Sequence, residues 1–246
     1  YQVGNDKTPV ITLNNVLPNK AFIALEKELR SRTDFIEGHA SGVNFPGKIA
    51  DLDWNIVSHL IDALIDNKVV AQIYPPLFFK QRENIHGFAS ILCYPGWIHD
   101  DYTQEKNSKQ GDTIAPAAVF YFGFPLHTLT QTGTAFFHEN ESGLERVAHI
   151  VDDFGNESAF CNEYPASFIC TSRTHNHDND IPEQHHDAKF HETFRVNGIP
   201  NRLVLYPQDI LHNAWAKNKD DQKVNVNVTL PCSVKEGRLA ISLFLG

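Results

Sequence analysis

After Pro75-Pro76 the chain becomes a succession of short runs rich in β-branched and aromatic residues: PLFFKQ, GFASILCY, AAVFYFGF, GTAFFHE, SFICTS, NRLVLY, KVNVNVTL and RLAISLFL. Glycine, proline and asparagine punctuate them. Runs of this length cannot each bury a helix face, but they suit strands, and many short strands with turn residues between them restrict the fold to a sandwich or a barrel. The earlier part reads differently. TPVITLNNVLP suggests a short strand and a turn. Pro18 precedes a helix from Asn19 to Arg30, with Phe22, Ile23, Leu25 and Leu29 near one face. Asn44-Phe45-Pro46-Gly47 is a turn, and Trp54 to Asn67 carries the stripe Ile56, Val57, Leu60, Ile61, Leu64, Ile65 of a second amphipathic helix. The expected fold class is therefore α+β within one domain spanning 1–246. A mainly helical part, 1–70, should pack on the outer face of the larger sheet. A β-core, 71–246, should be interrupted by an irregular insertion at 139–201.

With 246 residues and 17 Phe, the chain can fill a sizeable core. Its formal charge is −9, and its Lys and Arg residues form no cluster, which disfavours a nucleic-acid duplex or an anionic membrane as the main partner. The absence of an apolar run of membrane-spanning length points the same way. Cys93, Cys161, Cys170 and Cys232 are scattered, with no C-x-x-C pair. They read as buried free thiols of a reducing compartment, so a cytoplasmic location is expected.

The chemistry concentrates in His99-Asp100-Asp101 and in His212 of LVLYPQDILHNAW. Two imidazoles and one carboxylate can occupy one face of an octahedral Fe(II) ion and leave three positions open, which makes a metal catalytic rather than structural. Side chains alternate along an extended segment, so Asp101 joins His99 as a ligand while Asp100 points away, to a supporting or a surface position. A double-sheet fold can return the chain to the same mouth, so the distance from Asp101 to His212 is no obstacle. A rival lies in His175, His177, His185, His186 and His191, dense enough to take up a metal. No periodic pattern holds them rigid, and metal sites need preorganised support. The segment reads as a solvated loop or a lid over the mouth. TGTAFFHE can place Thr134 or His138 toward the pocket, since alternate residues of a strand face inward, with the parity open. The same holds for Asn225, Asn227 and Thr229.

VITLNNVLPN, NFPGK, YPGWIHDDY, TGTAFFHE, NRLVLYPQDILHNAW and EGRLAISLFL together resemble the 2-oxoglutarate/Fe(II)-dependent dioxygenase superfamily, closest to a bacterial family of unassigned function within it. The resemblance runs from Val10 to Leu245. It implies a double-stranded β-helix (jelly-roll, cupin-like) core, Fe(II) and 2-oxoglutarate as cofactors, dioxygen as a reactant, and a small-molecule or peptide substrate. The distal carboxylate of 2-oxoglutarate needs a cation. The resemblance implies Arg238, at the start of the last strand. Lys223 stands at the shorter spacing after His212 and is the alternative. Tyr94 is a candidate hydrogen-bond donor to the same carboxylate, and Trp97 and Tyr102 flank the triplet as pocket wall or core. Two other functions fit the same residues: an iron oxygenase that does not use 2-oxoglutarate, and a non-catalytic cupin-like binding protein.

Overall fold

The strands at the centre of the molecule are apolar on both faces, and the two faces meet different layers. The computed structural model describes residues 1–38, 45–80, 82–94, 96, 98–101, 109–110, 113–123, 130–140, 143–146, 190–218 and 230–245. Within them the strands are β1 (Gln2–Val3), β2 (Thr8–Pro9), β3 (Ile11–Asn14), β4 (Ile36–Glu37), β5 (Gly47–Asp51), β6 (Ile85–Leu92), β7 (Lys109–Gln110), β8 (Thr113–Ile114), β9 (Pro116–Gly123), β10 (Thr130–Glu139), β11 (Phe190–Asn197), β12 (Arg202–Pro207), β13 (His212–Asn218) and β14 (Arg238–Leu245). The helices are α1 (Asn19–Ser31), α2 (Trp54–Ile65) and α3 (Lys68–Ile73).

In β9, Ala118, Phe120 and Phe122 belong to one buried cluster, whereas Ala117, Val119 and Tyr121 belong to another. In β14, Leu239, Ile241, Leu243 and Leu245 face the first cluster, and Ala240 and Phe244 face the second. The first cluster is the layer of helices: Phe22, Leu29, Leu60, Leu64 and Val70 all enter it. Phe22 stacks on Phe122 at 5.3 Å and meets Phe120 edge-on at 6.1 Å. The second cluster fills the space between two sheets.

The larger sheet has seven strands in the order β3-β12-β9-β14-β6-β5-β4, and the smaller runs β11-β10-β13. Every pairing within both is antiparallel. An antiparallel bridge between His99 and His212 lays the segment 98–101 along β13 as a fourth partner of the smaller sheet. Four core positions therefore oppose four: β12-β9-β14-β6 faces β11-β10-β13 and 98–101. From β6 onward the core alternates between the sheets, except at the β10–β11 pair. This is the double-stranded β-helix expected, with the helices on the outer face of its larger sheet.

The structure also corrects the reading in places. PLFF forms a 3-10 turn, Pro76–Phe79, rather than a strand: proline presets its first position, and Phe78 and Phe79 are both buried. The N-terminal part contributes β1–β5 besides its helices. Two core strands, β11 and β13, are absent from the expected set because FHETFRVN and HNAWAKN are too polar to look buried. SFICTS and KVNVNVTL lie outside the described residues. Cys93 and Cys232 are not free thiols but form a disulfide across 139 positions. Two cysteines distant in sequence meet because β14 pairs with β6, with Arg238 opposite Leu92. Cys161 and Cys170 lie outside the described residues. Among those described, no helix is long and apolar enough to cross a membrane.

Arg30 of α1 fastens the entry to β14: its guanidinium donates to the carbonyls of Val234, Gly237 and Gly123 and pairs with Glu26. The disulfide ties the same entry to the end of β6. Closing so long a loop restricts the unfolded chain, so reducing the Cys93–Cys232 bond should lower stability by about 2–4 kcal/mol. Urea unfolding with and without a thiol reductant, compared with the Cys93→Ser/Cys232→Ser variant, measures it.

Candidate metal centre and its buried arginine

The site begins with the backbone. His99 N–H donates to the His212 carbonyl at 2.9 Å and His212 N–H returns the bond to His99 at 2.8 Å. Gly96 N–H donates to Ala214 and Asp101 N–H to Gln208, so the triplet is held on both sides of that bridge. The β12–β13 connection is held as firmly. Asp209, fully buried, accepts from the Arg146 guanidinium at 3.1 Å through both oxygens, and Gln208 Nε2 donates to the Pro116 carbonyl.

These constraints bring His99, Asp101 and His212 together, with one ligand-type atom of each within 4.8 Å of the others. His99 Nε2 lies 3.8 Å from Asp101 Oδ1, and His212 Nε2 lies 3.3 Å from Asp101 Oδ2. His212 Nδ1 stands 2.8 Å from the Ile210 carbonyl, which places the proton there and leaves Nε2 to face the cluster. Asp100 is outside that group and is fully buried. Burial alone pushes the Asp101 carboxyl up, but the His212 charge, a hydrogen bond to it, His99 and the Tyr206 hydroxyl together hold it below its ordinary range. Burial likewise pushes His212 down. The Asp101 carboxylate, the Ile210 carbonyl and Asp100 outweigh that, and the imidazole titrates above its ordinary 6.5.

Deeper in the barrel lies Arg238, 2 % exposed. Its guanidinium stands over the Tyr121 ring at 5.0 Å. The Tyr121 hydroxyl pairs with Thr134 Oγ1 at 2.5 Å. Among the described residues Arg238 Nε has no hydrogen-bond partner and no carboxylate pairs with the group. Burial depresses its pKa, with Tyr121 and Tyr206 opposing. A cation buried this way is costly until an anion joins it. Tyr206 occupies the space between: it feels the charges of both Asp101 and Arg238, and burial first, then Asp101, drive its pKa far upward.

Thr134 therefore has the inward parity that the sequence left open. Tyr121 and Tyr206 were not singled out in the sequence. Their signal is a phenol within an otherwise apolar strand, whose hydroxyl must find a partner when buried. Tyr94 is placed at the surface, 42 % exposed, beside Glu37. Lys223, Trp97, Tyr102, Asn225, Asn227 and Thr229 lie outside the described residues. So does 147–189, with His175, His177, His185 and His186 of the expected lid. His191 is described and sits opposite His138 on paired strands, ring centroids 5.3 Å apart.

The model of the Family of unknown function (DUF6445) matches residues 108–245. No curated protein matches the chain. Among solved structures, a prolyl-4-hydroxylase of Pseudomonas putida is similar at 12% identity and a TM-score of 0.45, over 98% of this chain and 93% of that one. HygX of Streptomyces hygroscopicus, with nickel and 2-oxoglutarate bound, is similar at 10% identity and a TM-score of 0.46, over 98% and 84%. SnoK, an alpha ketoglutarate dependent carbocyclase from nogalamycin biosynthesis, is similar at 9% identity and a TM-score of 0.48, over 97% and 79%.

The Asp101–His212 pair has a pH signature in the metal-free protein. The contribution of the raised His212 is fully present below 6.5 and is lost as pH climbs through its higher folded value. That of the lowered Asp101 is present above 3.8 and is lost as pH falls through its lower folded value. Urea midpoints measured with a chelator present should therefore fall from mildly acidic to alkaline pH, and Asp101→Asn should flatten that fall.

Proposed function

The chain belongs to the DUF6445 family, whose function is unknown, and we propose that it is an Fe(II)- and 2-oxoglutarate-dependent oxygenase acting on a small molecule or on an amino-acid or peptide side chain. One observation carries the reading: a single barrel holds a His-Asp-His cluster and, deeper on its inner wall, a buried guanidinium with no described carboxylate beside it.

The residues suit both groups. His99, Asp101 and His212 would hold the metal, a donor set of two imidazoles and one carboxylate that suits iron. Arg238 would receive the distal carboxylate of 2-oxoglutarate, assisted by the Tyr121 hydroxyl, which its bond to Thr134 already orients. Lys223 is the alternative cation. When bound together, iron and 2-oxoglutarate supply the activation of dioxygen that oxidises a substrate C–H bond.

The chain supplies position and electrostatics. The Ile210 carbonyl holds His212 in the tautomer that presents Nε2 to the metal. The reciprocal backbone bonds of His99 and His212 fix the distance between the two imidazoles. Phe136, Phe194 and Val196 line the inner face of the smaller sheet and keep the interior apolar around the polar groups. In such surroundings the Arg238 charge is screened little and attracts an incoming carboxylate strongly.

Anaerobic titration tests the assignment. Fe(II) should bind with one-to-one stoichiometry, and adding 2-oxoglutarate should raise a visible charge-transfer band. His99→Ala, Asp101→Ala and His212→Ala should each abolish tight Fe(II) binding, and wild-type affinity in all three would refute the centre. Arg238→Ala should keep the metal and weaken 2-oxoglutarate about 10- to 100-fold, the worth of a charged hydrogen-bonded pair. An oxygenase that does not use 2-oxoglutarate would show no such loss.

A further inference from the structure

Tyr206, next to last in β12, stands six residues before His212, and its phenol reaches that candidate ligand. Its hydroxyl lies 3.3 Å from His212 Nε2, the atom that itself stands 3.3 Å from Asp101 Oδ2. The residue is 2 % exposed. Its ring has little room to turn, since Phe136 meets it edge-on at 5.4 Å and the His212 imidazole lies against it at 4.8 Å. Its backbone is held on both sides of the strand, by Ala117 of β9 and, one residue back, by Ile11 of β3. The oxygen is therefore fixed beside a metal-facing atom.

We propose that Tyr206 is the positioning residue of this centre: its hydroxyl donates to Asp101 and keeps that carboxylate a one-oxygen ligand. The inference rests on the metal reading above. His212 Nδ1 is committed to the Ile210 carbonyl, so a metal takes the lone pair of Nε2. The Tyr206 proton then has the Asp101 carboxylate as its acceptor. An oxygen that accepts a phenol proton offers less to a cation, and the other oxygen takes the metal. Removing the hydroxyl frees both oxygens to chelate. Chelation would fill one of the three positions that a two-imidazole, one-carboxylate set leaves open. Tyr206 thus guards the number of open positions rather than the metal itself.

Water-proton relaxation of the Mn(II)-loaded protein counts exchangeable metal-bound waters and needs no turnover. In Tyr206→Phe at unchanged metal stoichiometry, the relaxation enhancement should fall by about a third, three waters becoming two. Ser90→Ala removes another buried hydroxyl from the barrel wall, one that donates to the Ala240 carbonyl, and should leave the enhancement unchanged. An undiminished enhancement in Tyr206→Phe, or an equal fall in Ser90→Ala, overturns the proposal. The wild-type protein gives an independent answer should Tyr206→Phe fold poorly. The splitting of the carboxylate infrared bands that appear on Mn(II) binding should be that of a one-oxygen ligand, and the narrow splitting of a chelating carboxylate overturns the proposal. If the wild-type protein binds no Mn(II) at one equivalent, the metal centre itself fails, which is a different result from a filled centre with the wrong number of waters.

Discussion

The two hydrogen bonds that His99 and His212 exchange are the contact on which the site depends. A residue pair that trades both backbone bonds across antiparallel strands is held at one separation, and its side chains share one face. Here that pair consists of two imidazoles, and Asp101 follows one of them by two residues, so alternation returns its carboxylate to the same side. The bridge also adds the fourth strand of the smaller sheet, without which the barrel would lack the wall that carries the triplet. A single pairing thus builds both the architecture and the cluster.

The two faces of the larger sheet divide the work. Its outer face is aliphatic and aromatic, packed under α1, α2 and α3, and belongs to the larger of the buried apolar clusters. Its inner face carries Tyr121, Tyr206 and Arg238 among small residues such as Ala117 and Ala240. Among the described residues the buried Arg238 Nε has no hydrogen-bond partner, which costs stability, and the large outer core can absorb the cost.

Secondary ties hold the pieces in place from outside. Arg30 and the Cys93–Cys232 bond fasten the turn that aims Arg238 inward. The Arg146–Asp209 pair fastens the turn that presents His212. Asn5 and Asp6 N–H groups donate to the Glu145 carboxylate, and Glu145 and Arg146 N–H groups return bonds to Asp6. The N-terminal segment, whose Val3 and Val10 join the inner cluster, is thereby clamped against the residues that follow β10.

Local chemistry made much of this legible from the sequence alone. The helical periods of Asn19–Arg30 and Trp54–Asn67, the strands around GFASILCY, AAVFYFGF and RLAISLFL, and the spacing of His99 and Asp101 all express preferences of neighbouring residues. Contacts between distant residues were not legible. FHETFRVN and HNAWAKN became core strands because β10 offered each an edge, not because their own composition demanded it. The 3-10 turn at Pro76–Phe79 won over a strand because its two phenylalanines had a helical layer to enter. Cys93 and Cys232 became partners only when β14 paired with β6, and Tyr121, Thr134 and Tyr206 acquired meaning only when closure of the sheets turned them toward Arg238 and the cluster. The sequence alone determined which residues are candidates for binding a metal and an anion. The tertiary structure decided which of them meet, because the pairing that brings them together is made by backbone groups that every residue shares and no side chain announces.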